Sequence, residues 1–234
     1  MKVLVVGAGK VGSALSLIVS RCHKVTVLDI EAINCDSEHF DVMHVCFPFN
    51  DCFVWNVKRY IHKFTPELTI IESTVPVGTT REIWLDLHRM YLVVHSPVRG
   101  LHDALVEGLE VYDKFIGAPN DYCGHAAYNY YRGLGLYPFV CDGPEETEFS
   151  KLANLSYFAV QVAFWQEIER KVKSLELNLS EVQAFFKSTG RDRPVRRGGV
   201  IGGECVMQGL IKLFSGEQMF NWVCLSNEAR KSEV

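Results

Sequence analysis

Four stretches of this 234-residue chain combine residue types and spacings that could do chemistry. The first is Gly7-Ala8-Gly9-Lys10-Val11-Gly12, directly after the aliphatic run Val3-Leu4-Val5-Val6. Gly7 permits a tight turn, Gly9 lets the backbone approach a pyrophosphate, and Gly12 lets the following helix pack closely on the strand. The N–H groups at the start of that helix, those of Lys10 and Val11 among them, and its positive dipole end then face the phosphates. A second aliphatic run, Lys24 to Leu28, ends in Asp29, about 20 residues on, where an acid accepts ribose hydroxyls. Asp29 would also repel a 2′-phosphate, which favours NAD over NADP. A strand–helix–strand unit that binds nothing is the plain alternative.

The second stretch, Ser73-Thr74-Val75-Pro76-Val77-Gly78-Thr79-Thr80, follows one predicted strand and opens a helix. In a doubly wound sheet that strand end lies on the ligand side, beside the nicotinamide half of a dinucleotide. A capped strand-to-helix turn would look the same. The third places Lys151 among Leu152 and Leu155 at the start of a long helical pattern. A half-buried lysine needs a partner or a job, and snorkelling or an ion pair would also satisfy it. The fourth is Gly198-Gly199-Val200-Ile201-Gly202-Gly203-Glu204-Cys205, just before a helical run. Glycines there let a substrate approach the backbone, and a thiol at a helix N-terminus is a nucleophile at neutral pH. The alternative is a flexible loop with a buried cysteine.

The elements that must position these residues alternate strand and helix. After Asp29 and a polar link, Asp41 to Pro48 reads as a buried parallel strand, Asp51 to Phe64 as a helix and Leu68 to Glu72 as a strand. Thr79 to Arg89 is a helix, Tyr91 to His95 a strand, and Lys114–Gly117 and Tyr137–Val140 add two more around a helix near 121–134. Such alternation implies an α/β, Rossmann-type doubly wound parallel sheet with right-handed crossovers. The pattern changes at Asp142-Gly143-Pro144, which divides the chain into a dinucleotide-binding domain, 1–143, and a smaller all-helical domain, 144–234. From Glu145 to about Leu175 no breaker interrupts a helical spacing of apolar residues, and a helix that long suits the spine of a second domain and a dimer interface. A further helix is expected over 180–187 with Ser180 as its N-cap.

Bulk properties narrow the partners. With 48% hydrophobic and 22% charged residues the chain has the composition of a soluble globular protein, and a net charge of −4 gives no drive toward nucleic acid or membrane. No apolar run reaches transmembrane length, and a strand starting at residue 2 leaves no room for a signal peptide. The eight cysteines are scattered without a Cys-x-x-Cys pair, so no structural metal is expected, and reduced thiols in a cytoplasmic protein are the plain reading.

Taken together and in order, Gly7-x-Gly9-x-x-Gly12, Ser73 to Thr80, Ser96-Pro97, Ser150-Lys151-Leu152-Ala153 and Gly202-Gly203-x-Cys205 resemble the UDP-glucose/GDP-mannose dehydrogenase family. The resemblance spans the family's NAD-binding and central helical domains and not its third domain, which grips the nucleotide of the sugar. It implies an NAD-dependent oxidation of a primary alcohol on a nucleotide sugar, through a cysteine-linked thioester. By that similarity Cys205 is the nucleophile, Lys151 stabilises the oxyanion and Thr74 helps to position water. Gly7, Gly9, Lys10, Val11, Gly12, Asp29, Pro48, Ser73 and Thr74 hold the cofactor, and Arg193, Gly202 and Gly203 the substrate. Asp192-Arg193 resembles a substrate-contacting region often contributed across a dimer, and Arg191, Arg193, Arg196 and Arg197 would suit a diphosphate; a solvated basic loop is the other reading.

The chain also departs from the family. Two glutamate positions hold Val98 and His102, an asparagine position holds Leu155 with Asn154 one place early, and the Lys-Asp after the cysteine is Gln208-Gly209. The missing carboxylates are groups that would move protons. Two further readings follow: a non-catalytic NAD-binding protein, and a hydroxyacid dehydrogenase that uses Lys151 for a single hydride transfer.

Overall fold

The computed structural model describes residues 1–29, 38–100, 104–188, 196–202, 206–207, 211 and 218–233. Seven strands form one sheet in the order β2 (Lys24–Leu28), β1 (Lys2–Val6), β3 (Val42–Val45), β4 (Leu68–Ile71), β5 (Leu92–His95), β6 (Lys114–Gly117) and β7 (Pro138–Cys141). Eight helices are described: α1 (Lys10–Val19), α2 (Phe53–Phe64), α3 (Thr79–Asp86), α4 (Leu105–Val111), α5 (Asp121–Gly133), α6 (Pro144–Ser174), α7 (Leu179–Ser188) and α8 (Gln218–Glu233). None is long and apolar enough to cross a membrane.

The strands β1 to β5 are mutually parallel, and every residue of β3 and β4 is buried, as expected of strands covered on both faces. One face packs under α1, α4 and α5 through Leu15, Ile18, Leu109, Ala127 and Tyr131. The other packs under α2 and α3 through Phe53, Tyr60, Ile61 and Ile83. The sheet is not parallel throughout. β6 meets β5 in antiparallel sense at the pair His95↔Gly117, and β7 runs parallel to β6. Between β5 and β6 lies α4, seven residues long, which packs on α1 and which the sequence pattern did not foresee.

The chain divides into two compact units, Met1–Lys151 and Leu152–Val234, so the break falls inside α6 and not ahead of it. The first turns of α6 belong with the sheet because their polar side chains bond to it, as set out below. α6 spans 31 residues, with Glu145 and Glu146 in its first turn and Lys171 and Lys173 in its last, which suits the helix dipole at both ends. Ala159, Val162, Ala163, Ile201 and Val223 form the small core of the second unit. The cap of α7 differs from expectation: Asn178 Oδ1 accepts the Ser180 N–H at 3.0 Å and the Ser180 hydroxyl at 2.6 Å, so Asn178 and not Ser180 is the capping acceptor. Among the described residues Cys22, Cys46, Cys52, Cys123, Cys141 and Cys224 are free thiols.

Candidate functional site

The order β2-β1-β3 puts a topological switch between β1 and β3, since the chain leaves β1 to one side and returns on the other. The carboxyl ends of these strands gather the predicted cofactor residues. Gly7 leaves β1 with φ +107°, where L side chains are strained, and a Cβ there would stand 2.9 Å from both Cys46 C and Phe47 N. Gly12 is tighter still, because its Cβ would lie 1.9 Å from the Gly7 carbonyl oxygen. Gly9, by contrast, faces open space, with nothing within 4 Å of a built Cβ. No side chain caps α1 at Gly9, so its N-terminal backbone donors point to the carboxyl edge of the sheet. Asp29 is exposed one residue past the end of β2, and Pro48 is exposed beyond β3. These residues fit a dinucleotide: a close-approach cradle, an uncapped helix end and an exposed acid just past β2.

Ser73 is pinned on both sides. Its hydroxyl donates to Phe47 O at 2.6 Å, with Val45 O at 3.2 Å, and its carbonyl accepts from His95 Nε2 at 3.1 Å. The Ser73 hydroxyl thus joins the ends of β3 and β4. Thr74 follows, half-buried. Lys151 is also half-buried, and its Nζ donates to Val98 O at 2.8 Å, so the position that departs from the family's glutamate offers the lysine a carbonyl. Asn154 is exposed and Leu155 half-buried, consistent with their different helical faces.

In the second unit Gly202 is exposed next to buried Ile201. Arg196 Nε donates to Gln161 at 3.1 Å with its guanidinium over the Phe158 ring, and Arg197 is exposed. Cys205, Gly203, Arg191 and Arg193, with Asp192, His102, Gln208 and Gly209, lie outside the described residues.

Sequence reasoning missed the groups that hold these parts. Thr147 and Glu148, four and three residues before Lys151 on α6, bond to His95 of β5 and to the start of α3, and Glu145 forms an ion pair with Arg81 of α3 at 2.5 Å. Their signal was present: positions i−3 and i−4 share a face with Lys151. Below the site lies a sealed cluster. Glu72 accepts from Lys114 Nζ at 2.5 Å, Tyr131 at 2.8 Å and His44 Nδ1 at 3.0 Å, while His44 Nε2 meets the Tyr130 hydroxyl at 2.7 Å. Burial pushes the Glu72 carboxyl up, but the adjoining Lys114 charge and the His44 hydrogen bond outweigh it and hold the group at about 2. Burial pulls His95 down to about 3, so its ring is neutral at pH 7. Neither Glu72 nor Lys114 is open enough to meet a substrate.

Residues 145–222 match the model of the UDP-glucose/GDP-mannose dehydrogenase family, central domain. The UDP-N-acetyl-D-mannosamine dehydrogenase of Methanocaldococcus jannaschii is 24% identical over 184 residues, which is 72% of this chain and 43% of that protein. The enzyme of the same name from Campylobacter jejuni is 26% identical over 154 residues, 59% of this chain and 38% of that protein. The chain thus spans less than half the length of these relatives. Among solved structures, a UDP-D-ManNAc dehydrogenase from Pyrococcus horikoshii shares the fold with a TM-score of 0.86 at 17% identity, over 100% of this chain and 69% of that one. A 3-hydroxyisobutyrate dehydrogenase from Mycobacterium tuberculosis does so with a TM-score of 0.74 at 14% identity, over 99% of this chain and 93% of that one.

Proposed function

We propose that this chain, whose residues 145–222 match the central-domain model of the UDP-glucose/GDP-mannose dehydrogenase family, belongs to that family and is an NAD-dependent oxidoreductase acting on the primary alcohol of a UDP- or GDP-sugar-like substrate, as a cytoplasmic homodimer. The observation that carries the reading is the turn from Gly7 to Gly12, closed where a side chain would clash and open at Gly9 where a phosphate would sit. NAD, when bound, supplies the hydride acceptor. Gly9 and the amides of Lys10, Val11 and Gly12 would hold its pyrophosphate, Asp29 its ribose, and Pro48, Ser73 and Thr74 would flank its nicotinamide half. Lys151 would offer positive charge to the substrate oxygen as it develops charge. Cys205 would be the nucleophile, with Arg193, Gly202 and Gly203 on the substrate and Thr74 orienting water. The exposed aromatic residues Tyr157, Phe158 and Phe164 of α6 support self-association along that helix.

The second reading, a single hydride transfer from a small hydroxyacid with Lys151 alone, is supported by the fold shared with the hydroxyisobutyrate enzyme over 99% of this chain. NADH formation monitored at 340 nm separates the two. Turnover of UDP-sugars abolished by Cys205→Ala is expected. Hydroxyacid turnover insensitive to thiol alkylation would select the second reading, and NAD affinity without any turnover would leave a binding protein. A monomer in light scattering at micromolar concentration would refute the dimer.

A further inference from the structure

Within the first unit, four side chains from the first two turns of α6 bond to residues at and beyond the end of β5 and at the start of α3. Glu145 pairs with Arg81, Thr147 meets His95, Glu148 meets the start of α3 and Lys151 meets Val98 O. Glu148 is the most deeply committed. It is fully buried, and its two carboxyl oxygens each take one backbone donor, Gly78 N at 2.6 Å and Thr80 N at 2.8 Å. α3 has no local side-chain cap, and Gly78 sits at φ +96°. A carboxylate some 70 residues away in sequence therefore serves as its N-terminal anion and fixes the far end of the Ser73–Thr80 stretch.

The near end is fixed by Thr147. A carbonyl can only accept, so His95 Nε2 carries the proton donated to Ser73 O. The neutral ring then leaves Nδ1 as acceptor for the Thr147 hydroxyl at 2.7 Å, which competes with Pro144 O at 2.9 Å for that single proton. Ser73 is held by this chain and Gly78 to Thr80 by Glu148. Between them lie Thr74, Val75, Pro76 and Val77.

We propose that Glu148, assisted by Thr147 through His95, is a positioning residue that sets the Thr74 loop relative to Lys151. The inference rests on the reading of Thr74 and Lys151 as site residues. Glu148 and Lys151 are three residues apart on one helix, so a single rigid turn carries both the candidate charge donor and the clamp on the loop facing it. The charged groups around the Glu148 carboxyl are Glu145 on its own helix and Arg81 on α3. Burial pushes the carboxyl up, against the pull of the Thr80 and Gly78 donors.

The test compares Glu148→Gln, Thr147→Val and Glu82→Gln, each at a temperature where circular dichroism shows it folded. Glutamine offers one acceptor where two donors converge, so NAD should bind Glu148→Gln about tenfold more weakly, and Thr147→Val more weakly by a smaller factor. Glu82→Gln removes a charge from the same first turn of α3 without touching these amides, and should bind NAD as the parent does. Hydrogen exchange should show Gly78 and Thr80 losing protection in Glu148→Gln while β1 and β3 keep theirs. Unchanged NAD affinity in both Glu148→Gln and Thr147→Val would overturn the proposal. If Glu148→Gln does not fold, Thr147→Val decides, its affinity loss supporting the proposal and parent-like binding overturning it. If the parent itself fails to bind NAD, the functional reading falls, and exchange then decides the positioning claim. Loosening confined to residues 73–80 supports it, and no loosening or a uniform one overturns it.

Discussion

The two units bury polar groups in opposite ways. Under the carboxyl edge of the sheet the first unit seals an ionic cluster, Glu72 with Lys114, bounded by His44, Tyr130 and Tyr131. The second unit buries Gln166, Ser226 and Asn227, which carry no charge. There Asn227 Oδ1 accepts the Ile201 N–H at 2.7 Å, Asn227 Nδ2 donates to Ile201 O at 3.3 Å, and Gln166 Nε2 donates to Gly199 O at 2.6 Å. Glu169, partly buried, adds a bond from Gly198 N at 2.8 Å. The ionic cluster ties β3, β4, β6 and α5 together, mostly through side chains, with Lys114 Nζ also donating to Ser96 O at 2.6 Å. The amide cluster ties α6 and α8 to the backbone of a glycine-rich loop. Removing a charge from the first should unsettle the whole sheet, whereas a cut in the second should loosen one loop.

The largest effect is expected from Lys114→Met. It leaves the Glu72 carboxylate buried without its counter-charge, a defect that costs about 3–5 kcal/mol. The double change Lys114→Met with Glu72→Gln removes the orphaned charge and should recover part of that loss. Urea unfolding measures both, and a single mutant no less stable than the double would contradict the ionic account.

Acid should act on the same unit. The folded Glu72 carboxyl lies at about 2, below its ordinary 4.5, so its contribution is present above the ordinary value and lost as pH falls toward 2. The His95 ring is neutral when folded, at about 3 against an ordinary 6.5, so the unfolded chain takes up the proton first. Stability is lost there as pH falls from about 6.5 to 3. Both act in the same direction, and the urea midpoint should fall from pH 7 to 5 and again to 3. The neutral amides of Gln166 and Asn227 have nothing to protonate in that range, so exchange at Gly199 and Ile201 should change less than exchange in β3. Equal sensitivity of the two would erase the contrast.

What could be read in advance follows the same division. The alternation of aliphatic runs with helical spacing and the glycines at 7 and 12 are local patterns, and at Gly7 and Gly12 the structure leaves no room for a side chain. The antiparallel sense of β6 is not local, because it depends on where α4 packs. The ionic cluster left a faint trace, as His44 interrupts the aliphatic β3 and Glu72 follows Leu68–Ile71. A polar residue in a doubly covered strand must find a partner, yet Lys114 and Tyr131 are 42 and 59 residues from Glu72, too distant for spacing to pair them. Glu148 was hidden for the same reason, its donors being 70 and 68 residues back along the chain. Cys205, Gly203 and Arg193 remain sequence expectations, outside the described residues.

The smallest effect is expected from Asn227→Ala. The side chain makes a two-way bond to Ile201, and its loss leaves one buried N–H and one buried carbonyl without those partners, for about 1–3 kcal/mol. Gln166 and Glu169 still hold Gly199 and Gly198, so the loop should loosen at one end and not detach. Hydrogen exchange should quicken at Ile201 and leave β1 and β3 unchanged. Since Ile201 precedes Gly202, Gly203 and Cys205 by one, two and four residues, the variant should also show altered alkylation of Cys205 with NAD affinity intact. That result would separate the two units functionally: the sheet edge governs the cofactor, and the amide-held loop governs the thiol. Weakened NAD binding in Asn227→Ala would instead mean that the loop and the sheet edge act as one.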